Sequence, residues 1–171
     1  MTVSPRPLVA EEFSLFGDVV EALDDRIVDI NQGTSQRFHD LARISIDMDD
    51  GRPLANIFRA SPYPRPLTLT MMEKHPLGSQ LFMPLQAHDY LVAVALPGPS
   101  VLAEDVNVFL ARGHQGVNFH PGVWHHPLLV LVEQQDFIVI DRGGPGDNLV
   151  EMSLEMPISV ALIKSLIIDV V

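Results

Sequence analysis

Residues 116–132, GVNFHPGVWHHPLLVLV, decide the fold. GVNFH reads as a strand, Pro121 and Gly122 as a tight turn, and LLVLV as a second strand with apolar side chains on both faces. Successive strand residues point to opposite sides, so a strand apolar at every position is expected to be covered on both. Three histidines and the only tryptophan crowd the turn. A plain turn needs none of them.

Moving outward, the same alternation of short apolar runs and turn residues fills the chain from about Arg26 onward. ARISID, LANIFRA, LTLTMME, QLFMPL, YLVAVAL, VNVFLA and DFIVID join GVNFH and LLVLV as predicted strands. LTLTM alternates with period two and should keep one face wet or turned to a ligand. Helical signal is confined to AEEFSLFG near the N-terminus, with acidic residues in its first turn and Gly17 as a stop. Strands at this density imply a closed or sandwiched antiparallel sheet. The 171 residues, without repeats or a linker, are expected to form a single domain, 1–171.

Composition narrows the function. The net charge is −11 and no Lys or Arg cluster occurs, so the footprint of a nucleic-acid binder is missing. Small anions remain open, because one or two arginines can hold a carboxylate inside an acidic protein. With 47% hydrophobic and 19% charged residues the chain should fold on its own. Cysteine is absent, which excludes disulfides, thiolate nucleophiles and zinc-cysteine sites. The N-terminal MTVSPRPLVAEEF lacks the apolar run of a signal peptide, so a cytoplasmic location is expected. PISVALIKSLIIDVV, interrupted by Lys164, falls short of the roughly 18–20 residues of a membrane span and reads as a packed tail.

Two clusters carry chemistry. In MEKHPLGSQLFMPL, Glu73 and His75 stand two apart and share a strand face, and Gln80 follows. In the turn, His120, His125 and His126 flank Pro121-Gly122, with Trp124 beside them. His125 and His126 are adjacent, so on a strand only one reaches a given cavity. Arg59 is the leading clamp for a carboxylate because a guanidinium grips both oxygens, with Lys74 and Arg142 as weaker claimants. Asn56, three before Arg59, should face the other side. Asp141 and Arg142 fit a strand-end ion pair as well as a role supporting the site. GGPGDN lacks the lysine and the strand-loop-helix context of a phosphate loop and reads as a turn. His39, His88 and His114 lie in polar contexts and are expected to be solvated. Trp124 and Phe119 read first as packing.

The two clusters resemble the motifs of the cupin family. Glu73, His75 and Gln80 stand at the first motif's positions, with Glu and Gln where His and Glu are usual. Pro121, Gly122 and His125 echo the second motif, without the residue that usually separates Pro from Gly. FGDVV, INQGTSQRFHDLA, NIFRA, HPLGSQ, GVNFHPGVWHHPL and DFIVIDRGG, in that order, are together similar to the ureidoglycolate lyase family over about residues 8–144. That resemblance implies an all-β, cupin-like barrel or double-stranded β-helix, a homodimer, and cleavage of ureidoglycolate to glyoxylate and urea in purine breakdown. It implies a site of His120, His125, Glu73 and His75, with Arg59, Lys74, Gln80, Trp124 and His126 against the substrate. A divalent ion, nickel being the one the family suggests, would sit on His75, Gln80 and His125. Two rivals stand beside it: a cupin-like binder of small acids without turnover, and an amidohydrolase of the same fold that releases ammonia.

Overall fold

Tyr90–Ala95 (β9) is buried at every residue and sets the layering. Tyr90, Val92 and Val94 face one core, while Leu91, Ala93 and Ala95 face another. In the computed structural model, which describes residues 1–23 and 27–162, β9 lies inside an eight-stranded sheet. Its path runs β1 (Thr2–Val3), β15 (Val150–Val160), β7 (Thr68–Lys74), β12 (Trp124–His125), β9, β10 (Asn107–Ala111) and β2 (Arg6–Pro7), with β13 (Leu129–Val130) also paired to β9. A five-stranded sheet faces it: β3 (Gly17–Val20), β11 (Gly116–Phe119), β8 (Gln80–Pro84), β14 (Gln135–Gly143) and β6 (Arg52–Ala60). β4 (Ile27–Ile30) and β5 (Ser35–Phe38) form a separate hairpin.

Phe82, Phe119, Phe137 and Val139 of the smaller sheet meet Tyr90, Val94 and Phe109 of the larger one, filling the interior between the layers. The second core lies on the outer face of the large sheet, where Trp124, Leu154, Ile158 and the 101–106 segment cover β9 and β10. LLVLV behaves as its composition predicts: Leu129 joins the outer core and Val130 the inner. The fold is all-β and cupin-like, a curled sheet closed by a second one, with a single short α-helix, α1 (Ala10–Phe13), among the described residues. After α1 the chain enters β3 at Gly17, where a Cβ would meet the Asn118 carbonyl oxygen at 2.0 Å. Only glycine allows β3 and β11 to approach there. No helix among the described residues is long and apolar enough to cross a membrane.

Two segments depart from the sequence reading. ARISID is not a strand: Ser45 pairs with the single residue Ser79, its amide donating to Ser79 Oγ at 2.9 Å and its carbonyl accepting from the Ser79 amide at 2.7 Å. The apolar alternation there serves a strap laid along the smaller sheet. Conversely, residues 150–160 form the longest strand of the described residues, which the sequence hides because Pro157 and two glutamates interrupt the apolar pattern. The Pro is tolerated because the register with β7 shifts between Ser153 and Ile158, so the ladder does not need its missing N–H. The last part of the expected packed tail is outside the described residues; Leu162 still packs on the outer core.

Candidate active site

β7 and β12 are antiparallel neighbours with His125 directly opposite Glu73. Residues paired across a ladder sit within contact distance on one face, and alternation then turns Lys74 and Trp124 to the other. His125 Nε2 lies 3.5 Å from Glu73 Oε1. The His125 ring stacks on Phe119 at 4.4 Å between centroids, and the His75 ring, just beyond β7, lies 5.2 Å away. Gly122, at φ +78, turns the chain back so that its amide bonds the His75 carbonyl at 2.9 Å. The turn thereby ties the two motifs together. Gln80 opens β8, buried, opposite Phe119.

The two imidazoles are oriented by main-chain carbonyls. His75 Nδ1 donates to Asn148 O at 2.6 Å and His125 Nδ1 to Val123 O at 3.1 Å. A carbonyl only accepts, so Nδ1 carries the hydrogen in both rings, and in His75, whose neutral form burial favours, Nε2 presents a lone pair. His75 Nε2, His125 Nε2 and Gln80 Oε1 are all buried without a hydrogen-bond partner. Buried polar atoms without partners are rare and call for an occupant. Glu73, His75 and His125 each offer one ligand atom within 4.8 Å of the others, so this cluster has the donors and spacing of a divalent metal site.

Charge states agree with that use. Burial lowers the proton affinity of His75 below the ordinary histidine value, and the neighbouring His125 lowers it further, against the raising effects of the Asn148 carbonyl and the Glu73 carboxylate. His126 is also depressed by burial. Glu73 is pushed up by burial, but His125, His75 and His126 more than offset this and leave it below the usual carboxylate value. Burial thus favours the neutral form of His75 and His126, while the histidines beside Glu73 favour its carboxylate form. Glu73 also lines an open cavity of about 610 Å³ with Phe58, Tyr63, Phe82 and Leu128.

The other expected site residues are distributed differently. Arg59 is turned out: Phe58 packs on interior Phe82, so its neighbour faces solvent, where Nε and one terminal nitrogen donate to Asp136 at 2.8 and 2.9 Å. Arg59 also lines the same open cavity as Glu73, with its guanidinium held by that ion pair. Lys74 Nζ donates to Gly98 O at 2.5 Å and lies 4.3 Å over the Trp124 ring. Trp124 is fully buried in the outer core and donates to the same carbonyl at 3.2 Å. Both residues lock the Pro97–Pro99 loop rather than wall the cavity. His120 faces Asp18 on β3, Nε2 to Oδ2 at 3.5 Å, and is not part of the Glu73, His75, His125 cluster. His126 is buried beside the site, its ring 5.0 Å from Tyr63.

Asp141 and Arg142 do not form an ion pair with each other. Asp141 accepts a bond from Asn56, and burial raises its carboxyl against the lowering effects of Gln80, His75 and Asn56. Arg142 is buried and donates to the carbonyls of Met48, Asp49 and Pro145. Two contributors escaped the sequence. Tyr63, whose hydroxyl is held protonated by burial and by the charge of Glu73, sits in a proline-rich loop with no motif signal. Asn148, in the stretch read as a turn, supplies the carbonyl that orients His75 and a side chain that accepts the Leu77 amide at 2.8 Å.

The family model described as ureidoglycolate lyase matches residues 1–161. A ureidoglycolate lyase of Burkholderia mallei is 50% identical over 153 residues, 90% of this chain and 89% of its own. One of Brucella anthropi is 46% identical over 150 residues, 88% of each chain. One of Azotobacter vinelandii is 44% identical over 146 residues, 85% of this chain and 88% of its own.

Proposed function

Since this chain belongs to the ureidoglycolate lyase family, we propose that it cleaves ureidoglycolate to glyoxylate and urea in the hollow bounded by Glu73, His75, Gln80 and His125. The observation that carries the reading is the set of three buried acceptors without partners beside an ionised carboxylate that lines a cavity. Ureidoglycolate is a carbinolamine with a carboxylate on the reacting carbon. Its cleavage needs a base for the hydroxyl, a proton for the departing nitrogen, and a positive partner for the carboxylate.

Glu73 takes the hydroxyl proton. The O–H electron pair becomes the C=O of glyoxylate, the C–N pair leaves with the urea nitrogen, and Glu73 returns the proton to that nitrogen. No water is consumed, and the carboxylate is restored. His75 Nε2, His125 Nε2 and Gln80 Oε1 fit a divalent cation, because all three are buried without a hydrogen-bond partner and the two imidazoles cluster with Glu73. Such an ion, nickel on the family's pattern, would supply positive charge to the substrate carboxylate and lower the proton affinity of its hydroxyl. This role is the more needed because Arg59 and Lys74 are engaged elsewhere. Tyr63 lines the cavity with Glu73 and can donate a hydrogen bond to the ureido carbonyl. We read the protein further as a cytoplasmic homodimer acting in purine breakdown, on the family's pattern.

Product analysis tests the proposal. Purified protein given ureidoglycolate is expected to release urea and glyoxylate in equal amounts with no ammonia. Ammonia would replace the lyase with an amidohydrolase, and binding without turnover would leave a small-acid binder.

A further inference from the structure

Three polar side chains cross the concave face of the smaller sheet where it approaches the triad. β8 and β14 run antiparallel with Ile140 opposite Leu81, which brings Asp141 level with Gln80. Across the next ladder Asn56 stands opposite Val139, one inward position from Asp141. Asn56 Nδ2 donates to Asp141 Oδ1 at 3.1 Å, and Gln80, level with Asp141 across the β8–β14 ladder, favours the ionised form of the same carboxyl group.

The polarity of this row matters more than its presence. The two ends of a glutamine amide have nearly the same shape, so steric fit alone does not choose between them. A carboxylate accepts and does not donate, so the end of Gln80 that meets Asp141 must be Nε2. Oε1 is then the end left over, and it is this atom that is buried without a partner, on the side of His75. A reversed amide would press Oε1 against the carboxylate and turn N–H groups on the hollow.

We propose that Asp141 is a positioning residue that locks the Gln80 amide with Oε1 aimed into the hollow, and that Asn56 holds Asp141 in place. The proposal rests on the cation-holding role given to Gln80 above, but its claim about the amide stands apart from any ion. Asp141 touches neither substrate nor reacting atoms; it acts through Gln80.

The test is Asp141→Asn in the full chain, read in two ways. Calorimetric titration of the ion-stripped protein with Ni²⁺ is expected to show affinity weakened about 10- to 100-fold, the range for loss of an outer-shell partner. The side-chain amide signal of Gln80 in ¹⁵N NMR, assigned by its loss in Gln80→Glu, is expected to shift in Asp141→Asn. The double variant Gln80→Glu with Asp141→Asn inverts the pair's polarity: the new amide donates, and the new carboxylate offers an acceptor at both ends. It is expected to bind Ni²⁺ within about threefold of wild type, since the outer-shell bond is restored. A purely structural role for Asp141 predicts no such rescue. An Asp141→Asn protein with an unmoved Gln80 signal, or a double variant no tighter than the single one, overturns the proposal. If wild type binds no Ni²⁺, the cation reading falls and the amide signal alone judges the lock.

Discussion

Glu73 and Lys74 are neighbours on one strand, yet they belong to opposite regimes. On the outer face, Lys74 has a carbonyl at 2.5 Å and an aromatic ring at 4.3 Å, and Trp124 bonds the same carbonyl. On the inner face, His75, His125 and Gln80 each bury an atom with nothing to bond. An unmade buried hydrogen bond costs about 1–3 kcal/mol, so the inner face gives up stability that the outer face secures. The difference separates a satisfied polar cluster, which holds the fold, from an unsatisfied one, which waits for a ligand. Residue type alone does not make this distinction, since both faces carry charged and aromatic side chains.

The strongest way to break this comparison is to substitute the two neighbours separately. Glu73→Gln is expected to lower kcat by about 10²- to 10⁴-fold, the usual worth of a positioned acid-base group, with the melting temperature retained. Lys74→Met should do the reverse: a lower melting temperature from a lost cation–π contact of about 1–2 kcal/mol, and kcat within about threefold of wild type. Comparable losses of turnover from both would erase the division between faces. Next in size is ion removal. Dialysis against a chelator is expected to cut activity at least about tenfold, with recovery on adding Ni²⁺, because His75, His125 and Gln80 otherwise face one another as bare acceptors. Unchanged activity would leave their alignment without a use.

pH sharpens the comparison more gently. His75 and His126 have folded proton affinities below the ordinary 6.5, so between the two values the unfolded chain binds more protons and stability rises with pH. Their penalty is present in acid and gone above the unfolded value of about 6.5. Glu73 is lowered from 4.5, so its contribution is present above that value and is lost as the pH falls through its folded one. The melting temperature is therefore expected to climb from about pH 4 to about pH 7, and His75→Gln to flatten the upper part of the climb. A flat profile would contradict the burial of neutral imidazoles. Smallest of all, Arg59→Ala is expected to leave kcat and KM within about twofold, because an exposed, engaged ion pair contributes little. A large rise in KM would restore Arg59 as the clamp that the sequence suggested.

Much of the fold was legible because a strand's period is exacting. LTLTM, YLVAVAL and DFIVID each became strands where alternation or continuous apolarity placed them. β15 was not legible, since its Pro and glutamates are accommodated by a register shift that only a neighbouring strand reveals. In the site, the spacing of Glu73 and His75 gave a shared face, and the adjacency of His125 and His126 required that only one oppose Glu73. Type and strand membership did not say that Arg59, which lines the same cavity as Glu73, has its guanidinium engaged by Asp136. Asn148 was missed for a different reason: it acts through its main-chain carbonyl, which every residue possesses.

Local covalent geometry therefore determined the strands, the turn at Pro121-Gly122, and which of two neighbouring side chains share a side, because period and backbone freedom are properties of the chain itself. Only the packed sheets decided which side is the inside, that Arg59 and Lys74 find partners while Nε2 of His75 and of His125 does not, and that Asp141 comes level with Gln80. Those outcomes depend on residues brought together across ladders from far apart in the chain, and no local rule specifies them.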